Sequence, residues 1–208
     1  MVRDWHAWYG GYDDPDSSLS RRLTVVRGQL AALLDGEGPV RLLSLCSGDG
    51  RDTIPVLEAA NRSVSAVLVE LDPALAAVAA AGPVPVEVRT TDAGTTDCAV
   101  GAVPADVVMA CGIFGNVTDE DVARTVTTLP SLLAPGGHVI WTRGRSTPHD
   151  PSTYDGDPSE LVRSVFAEAG FEEVAFVRPN DASFRVGVHR WPGPAVPFRA
   201  GVRMFSFV

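Results

Sequence analysis

The chain has 208 residues, enough for one domain with a hydrophobic core of its own. Its 45% hydrophobic and 21% charged residues are an ordinary globular mixture with no apolar run long enough to span a bilayer, so neither a disordered chain nor a membrane-embedded one is expected. The formal net charge is -9, all 17 basic residues are arginine, and no basic cluster exceeds Arg21-Arg22 or Arg143-x-Arg145; such a chain repels a phosphate backbone, which argues against a nucleic-acid partner.

Residues 1–16 are aromatic and acidic, without the basic start and apolar stretch of a signal peptide. The three cysteines, Cys46, Cys98 and Cys111, form no CxxC pair and read as reduced, buried thiols, so the expected compartment is the cytoplasm. Residues 5–12 hold four large aromatics, Trp5, Trp8, Tyr9 and Tyr12, and the flexible pair Gly10-Gly11. They are either a staple for the helix that follows or a lid over a ligand, Tyr9 and Tyr12 then touching the substrate. Apolar spacing over 19–34 predicts that helix, capped by Asp16, Ser17 or Ser18 and stopped at Gly36.

Strand and helix patterns then alternate. Strands are predicted over 40–46, 64–70, 84–89, 106–111, 138–142 and 172–177, the fifth entered through a Pro135-Gly136-Gly137 turn. Helices are predicted over 51–60, 73–81, 119–133 and 158–169. Residues 184–190 and 202–207 read as two further strands with no helix between them, one of them pairing antiparallel at the sheet edge. The alternation implies βαβ units around a mostly parallel sheet. The expected fold is a single α/β domain, a Rossmann-like three-layer sandwich with seven strands and an antiparallel last strand. Residues 1–36 form its lid and first helix, and 37–208 its core.

The first strand runs into Cys46-Ser47-Gly48-Asp49-Gly50-Arg51-Asp52. Small residues at a strand-to-helix turn let backbone approach a ligand closely. The second strand ends at Glu70, 20 positions beyond Gly50, where an acid can accept hydrogen bonds from both hydroxyls of a ribose. The cofactor so implied is a nicotinamide dinucleotide or S-adenosylmethionine. The dinucleotide pattern G-x-G-x-x-G wants a third glycine where Thr53 stands.

Further along come Thr91-Asp92-Ala93 after the third strand, Leu133-Ala134-Pro135-Gly136-Gly137 before the fifth, and Gly170-Phe171 after the last helix. With the Gly-containing turn and Glu70, these resemble the pattern of class I S-adenosylmethionine-dependent methyltransferases over residues 40–177. The whole chain further resembles an actinobacterial group of such enzymes of undefined substrate, through Ser44-Leu45-Cys46, Val69-Glu70-Leu71-Asp72, Cys111-Gly112-Ile113-Phe114-Gly115-Asn116 and Trp141-Thr142-Arg143. The resemblance implies that Cys46, Ser47, Gly48, Asp49 and Gly50 form the turn facing the methionine part of the cofactor, Glu70 holds the ribose, Leu71 packs on the adenine, and Asp92 and Ala93 meet its amino group and a ring nitrogen. Gly112, Ile113, Phe114 and Asn116 would lie beside the reacting methyl. Two positions depart from the family: its first turn glycine is Cys46 here, and the acid inside its first strand is Ser44.

The implied activity is methyl transfer to a small-molecule acceptor at oxygen or nitrogen, by a monomer or homodimer. The alternatives are a nicotinamide-dependent oxidoreductase and a protein that holds S-adenosylmethionine without methylating. An N-P-P-Y motif for nucleobase amines and a convincing metal-ligand spacing are both absent. His6 and His149 are the candidate bases. Arg143, at the end of the fifth strand, is either a substrate ligand or half of a surface salt bridge.

Overall fold

The computed structural model describes residues 10–144 and 156–208. His6, Tyr9 and His149, with most of the aromatic lid, lie outside the described residues.

Ser17 caps α1 (Ser18–Leu34): its hydroxyl accepts from the Ser20 amide at 3.1 Å. The other helices are α2 (Ile54–Ala59), α3 (Pro73–Ala80), α4 (Asp119–Thr128) and α5 (Ser159–Glu168). Asp72 caps α3 ahead of Pro73, and Thr118 caps α4, whose first turn holds Asp119, Glu120 and Asp121 at the positive end of the helix dipole. The strands are β1 (Val40–Leu45), β2 (Val64–Glu70), β3 (Glu87–Thr90), β4 (Ala105–Ala110), β5 (Leu133–Gly144), β6 (Glu172–Val177) and β7 (Phe184–Arg190). They form one sheet in the order β3-β2-β1-β4-β5-β7-β6, parallel except for β7, which runs antiparallel to β5 and β6.

Strand alternation divides the core into two layers. On one face Leu42, Leu68, Met109 and Val188 pack with Val26 and Leu30 of α1, Ile54 of α2 and Ala79 of α3. On the other, Leu43, Val69, Val108 and Trp141 pack with Val122 of α4 and Phe166 of α5. The three-layer α/β sandwich expected from the sequence is therefore the observed fold.

Six expectations need correction, four of them because of proline. The helix expected over 51–60 starts only at Ile54, just ahead of Pro55, which is tolerated in a first turn. The strand expected over 84–89 begins at Glu87, because Pro85 has no N–H to give a ladder. The helix expected over 119–133 tightens at Leu129–Ser131, around Pro130, into a 3₁₀ turn. The Pro135-Gly136-Gly137 turn is a bulge inside β5: the register jumps from Ala105↔Leu133 to Val107↔His138. Residues 202–207 are not a strand; Arg203 makes a single bridge with Thr95. The antiparallel strand is also not at the edge, since β7 lies between β5 and β6 and is buried almost throughout.

Candidate functional site

Crossovers leave β1 and β4 in opposite directions, and the crevice at such a switch point lies beyond the carboxyl ends of the strands. A cleft of about 420 Å³ occupies that place. The turn after β1 forms its floor. Three residues there take left-handed backbone: Cys46 (φ 53°), Gly48 (φ 59°) and Gly50 (φ 74°). Glycine suits position 50, since L side chains rarely adopt its left-handed φ and a Cβ there would also press on Ile54 Cδ1 at 2.6 Å. Cys46 adopts a conformation that L side chains rarely do. Burial raises the Cys46 and Cys111 thiols well above the ordinary value, so both stay protonated on the cleft wall.

Glu70 ends β2 with its carboxylate fixed. Oε2 accepts from the Gly48 amide at 2.7 Å, and Oε1 accepts from the Asp72 amide at 2.8 Å. The acid that lines the cleft thus also ties the turn to the second strand. Ser47 reinforces the tie by donating its amide to the Val69 carbonyl. Among the described residues, the buried Ser47 hydroxyl has no hydrogen-bond partner, although Ser47 lines the cleft.

At the β3 end, Asp92 and Ala93 line the same cleft. Asp92 Oδ1 accepts from the Gly94 amide and Oδ2 from the Arg203 guanidinium, both at 2.7 Å. Partial burial pushes the Asp92 carboxyl upward, but these two donors outweigh it and hold the pKa below the ordinary value. Arg203 belongs to a strap across the sheet end. Thr96 exchanges hydrogen bonds with Val202, Met204 donates to the Gly94 carbonyl, Ser206 donates to Asp121, and Val208 donates to the Asn116 carbonyl. The strap carries Phe207 to the cleft wall, where Phe207 (46% exposed) and Leu71 (65% exposed) present apolar surface.

The opposite end carries charge. The Tyr12 hydroxyl accepts from Arg22 at 2.7 Å, and the Arg51 guanidinium lies 4.3 Å from the Tyr12 ring centroid. Burial raises the Tyr12 pKa above the ordinary value. Asp52 also lines the cleft; its Oδ1 accepts from the Thr53 hydroxyl at 3.0 Å, and burial raises its pKa.

The cleft therefore gathers Tyr12, Cys46, Ser47, Glu70, Leu71, Asp92, Ala93 and Gly112 from the residues expected on sequence grounds. Others serve its frame. Gly48 and Gly50 shape the turn, and the Asp49 carboxylate is clamped by Arg51 at 2.9 Å. Ile113 and Phe114 are fully buried, with Phe114 against Trp141 and Phe166, so they pack the core and do not border the cleft. Asn116 donates to the Gly112 carbonyl and latches the loop after β4. Arg143 is buried and pairs with Asp119 at 3.3 Å, a partly buried pair and not the surface one weighed above. Arg22, Asp52 and Phe207 are among the cleft residues that sequence reasoning missed. A charged residue two places past the last turn glycine was a readable signal for Asp52; nothing local pointed to the other two. Among the described residues, no group of three or more His, Cys, Asp or Glu could hold a metal ion, and no helix is long and apolar enough to cross a membrane.

No protein-family model matches the chain, and no curated protein is significantly similar to it in sequence. Solved structures are similar in fold. A possible exported protein from Bordetella parapertussis superposes with a TM-score of 0.65 at 18% identity, over 84% of this chain and 68% of that one. The magnesium protoporphyrin IX methyltransferase ChlM of Synechocystis, with bound S-adenosylhomocysteine, gives 0.64 at 14% identity, over 90% and 94%. The [4+2]-cyclase SpnF gives 0.61 at 16% identity, over 86% and 85%. At these identities the likeness is one of fold: the chain has the fold of the class I methyltransferases.

Proposed function

We propose that this protein transfers a methyl group from S-adenosylmethionine to a small-molecule acceptor, at oxygen or nitrogen, in the cytoplasm. The observation that carries the reading is Glu70, a carboxylate held by two backbone amides at the end of β2 with its oxygens on the cleft. Each carboxylate oxygen has capacity for a further donor, as a ribose hydroxyl pair requires. Next to it, Leu71 and Phe207 offer partly exposed apolar faces for a purine, and the Ala93 segment lines the same cleft. The Ser47 hydroxyl without a partner fits a polar ligand group at the β1 turn.

S-adenosylmethionine brings a methyl on a sulfonium, an already activated leaving group. The chain then has to hold, align and shield the reactants from water. Cys46, Cys111 and Gly112, at the ends of β1 and β4, give a wall of protonated thiols and backbone that suits a cation without competing as a nucleophile. The net charge of -9 favours a small acceptor over nucleic acid, and the free thiols suit a reducing compartment.

Calorimetric titration with S-adenosylhomocysteine and, separately, NAD and NADH tests the reading. Binding of the first alone is the expected result, and binding of the nicotinamides alone overturns it. Tight S-adenosylhomocysteine binding with no methylation of any phenol, carboxylic acid or amine would instead indicate a protein that only holds the cofactor, or uses it as a scaffold for another reaction.

A further inference from the structure

Between β7 and the strap the chain runs through Trp191-Pro192-Gly193-Pro194-Ala195-Val196-Pro197-Phe198-Arg199. Both ends of this run are anchored. Trp191 donates its amide to the Gly137 carbonyl and accepts from the Gly136 amide, and its ring lies 5.2 Å from that of Phe171. Its indole N–H reaches the Pro194 carbonyl at 2.9 Å, and a Cβ at Gly193 would collide with the same indole. At the other end Phe198 packs on the core, and the Arg199 carbonyl accepts from the Thr96 hydroxyl at 2.7 Å. Between the anchors Pro194, Ala195, Val196 and Pro197 are all exposed and belong to no helix or strand. Among the described residues, no backbone hydrogen bond holds the amides of Ala195 and Val196 or the carbonyls of Ala195, Val196 and Pro197. None of residues 191–199 lines the cleft.

We propose that residues 193–199 are a docking segment for a partner protein module whose groove is lined by aromatic side chains and rimmed by acidic ones. Proline fixes φ near about −65°, and it pushes the residue before it toward extended backbone. Pro194 and Pro197, with Gly193 and Val196 ahead of them, thus favour a polyproline II path. That helix has three residues to a turn, so Pro194 and Pro197 stand on one edge, about 9 Å apart. Each X-Pro pair offers an apolar ridge with no N–H to desolvate, which flat aromatic rings can clasp, and the carbonyls between can accept from indole or phenol donors. Arg199 is exposed and is the one charged residue of the run, two places past Pro197, where an acidic rim would meet it. Other occupants fit less well. Two prolines withhold the N–H groups that an added β-strand needs, and a single arginine is too little charge for a lipid surface or a nucleic acid. The anchors at Trp191 and Phe198 order the segment in advance, so docking costs little conformational entropy.

The test is calorimetric titration of the full chain with a purified SH3 domain that selects P-x-x-P-x-Arg ligands. The wild type binds it, and more tightly than the free peptide of residues 191–200 does, because the anchors order the segment. Pro194→Ala, Pro197→Ala and Arg199→Glu each weaken binding by about tenfold or more. Thermal unfolding of these variants stays close to wild type, since the two prolines are exposed and Arg199 braces the fold through its carbonyl. Val196→Glu places a charge on the same ridge without loosening the backbone, and it abolishes binding even if a proline variant unfolds early. No binding by the wild type overturns the proposal, as does binding that survives the proline and Val196 substitutions. Loss in Arg199→Glu alone also overturns it, since the contact is then one of charge and the prolines have no part.

Discussion

Removing the Glu70 carboxylate separates its two duties. In Glu70→Ala the Gly48 and Asp72 amides lose their acceptor. Glu70 is only half-buried, so water can reach part of the gap, and the apo protein loses about 1–3 kcal/mol. For a chain of 208 residues that is a fall in Tm of several degrees, on the order of 2–4 °C per kcal/mol. The ligand loses more. Two hydrogen bonds from ribose hydroxyls to a charged acceptor are worth roughly 1.5–3 kcal/mol each. The lower sum, about 3 kcal/mol, is about a hundredfold in the dissociation constant. Glu70→Gln keeps one oxygen acceptor but turns an N–H2 toward a backbone donor, so it lies between wild type and alanine. Calorimetry with S-adenosylhomocysteine and thermal unfolding without ligand read the two duties apart. A lowered Tm with an unchanged dissociation constant would refute the reasoning, leaving Glu70 as a brace for the turn.

Two other expectations follow from the packing. His189 is buried, stacks 4.3 Å from the Phe166 ring and accepts the Trp141 indole N–H at 3.0 Å; burial lowers its pKa from 6.5 to about 4. The unfolded chain therefore binds a proton that the folded one refuses between those values, and stability is full above pH 6.5 and falls as pH drops toward 4, by about 2 kcal/mol from pH 7 to pH 5. Denaturant unfolding at both pH values should show this loss shrinking in His189→Asn, whose amide oxygen can still accept the indole N–H; an identical loss in the variant would sink the explanation. A Cβ at Gly94 would collide with the Phe205 carbonyl and crowd Arg203 and Asp92, so Gly94→Ala should push the strap off. Hydrogen exchange over 203–208 should rise and S-adenosylhomocysteine bind several-fold more weakly; unaltered exchange and affinity would show that Phe207 has no part in the purine wall.

The alternating strands and helices, the seven-stranded sheet and the Gly-containing turn opposite Glu70 were legible in the sequence, because each rests on local periodicity or on residues a fixed distance apart. Proline set most of the errors at element ends: Pro55, Pro85, Pro130 and Pro135 each withhold an N–H, and the neighbouring backbone decides whether a helix starts, a ladder begins or a strand bulges. The roles of Ile113 and Phe114 depended on which side of the loop after β4 faces the core, and the packing with Trp141 and Phe166 put Phe114 inside. Arg22, Asp52 and Phe207 reach one cleft from three distant parts of the chain, and the Asp92–Arg203 pair joins residues 111 positions apart. Periodicity carries no information on such meetings. The sequence by itself determined the class of fold and the acid that ends β2; only the tertiary structure decided what surrounds that acid, since the packing of α1 on the sheet face and of the strap across the sheet end is fixed by which apolar faces find burial.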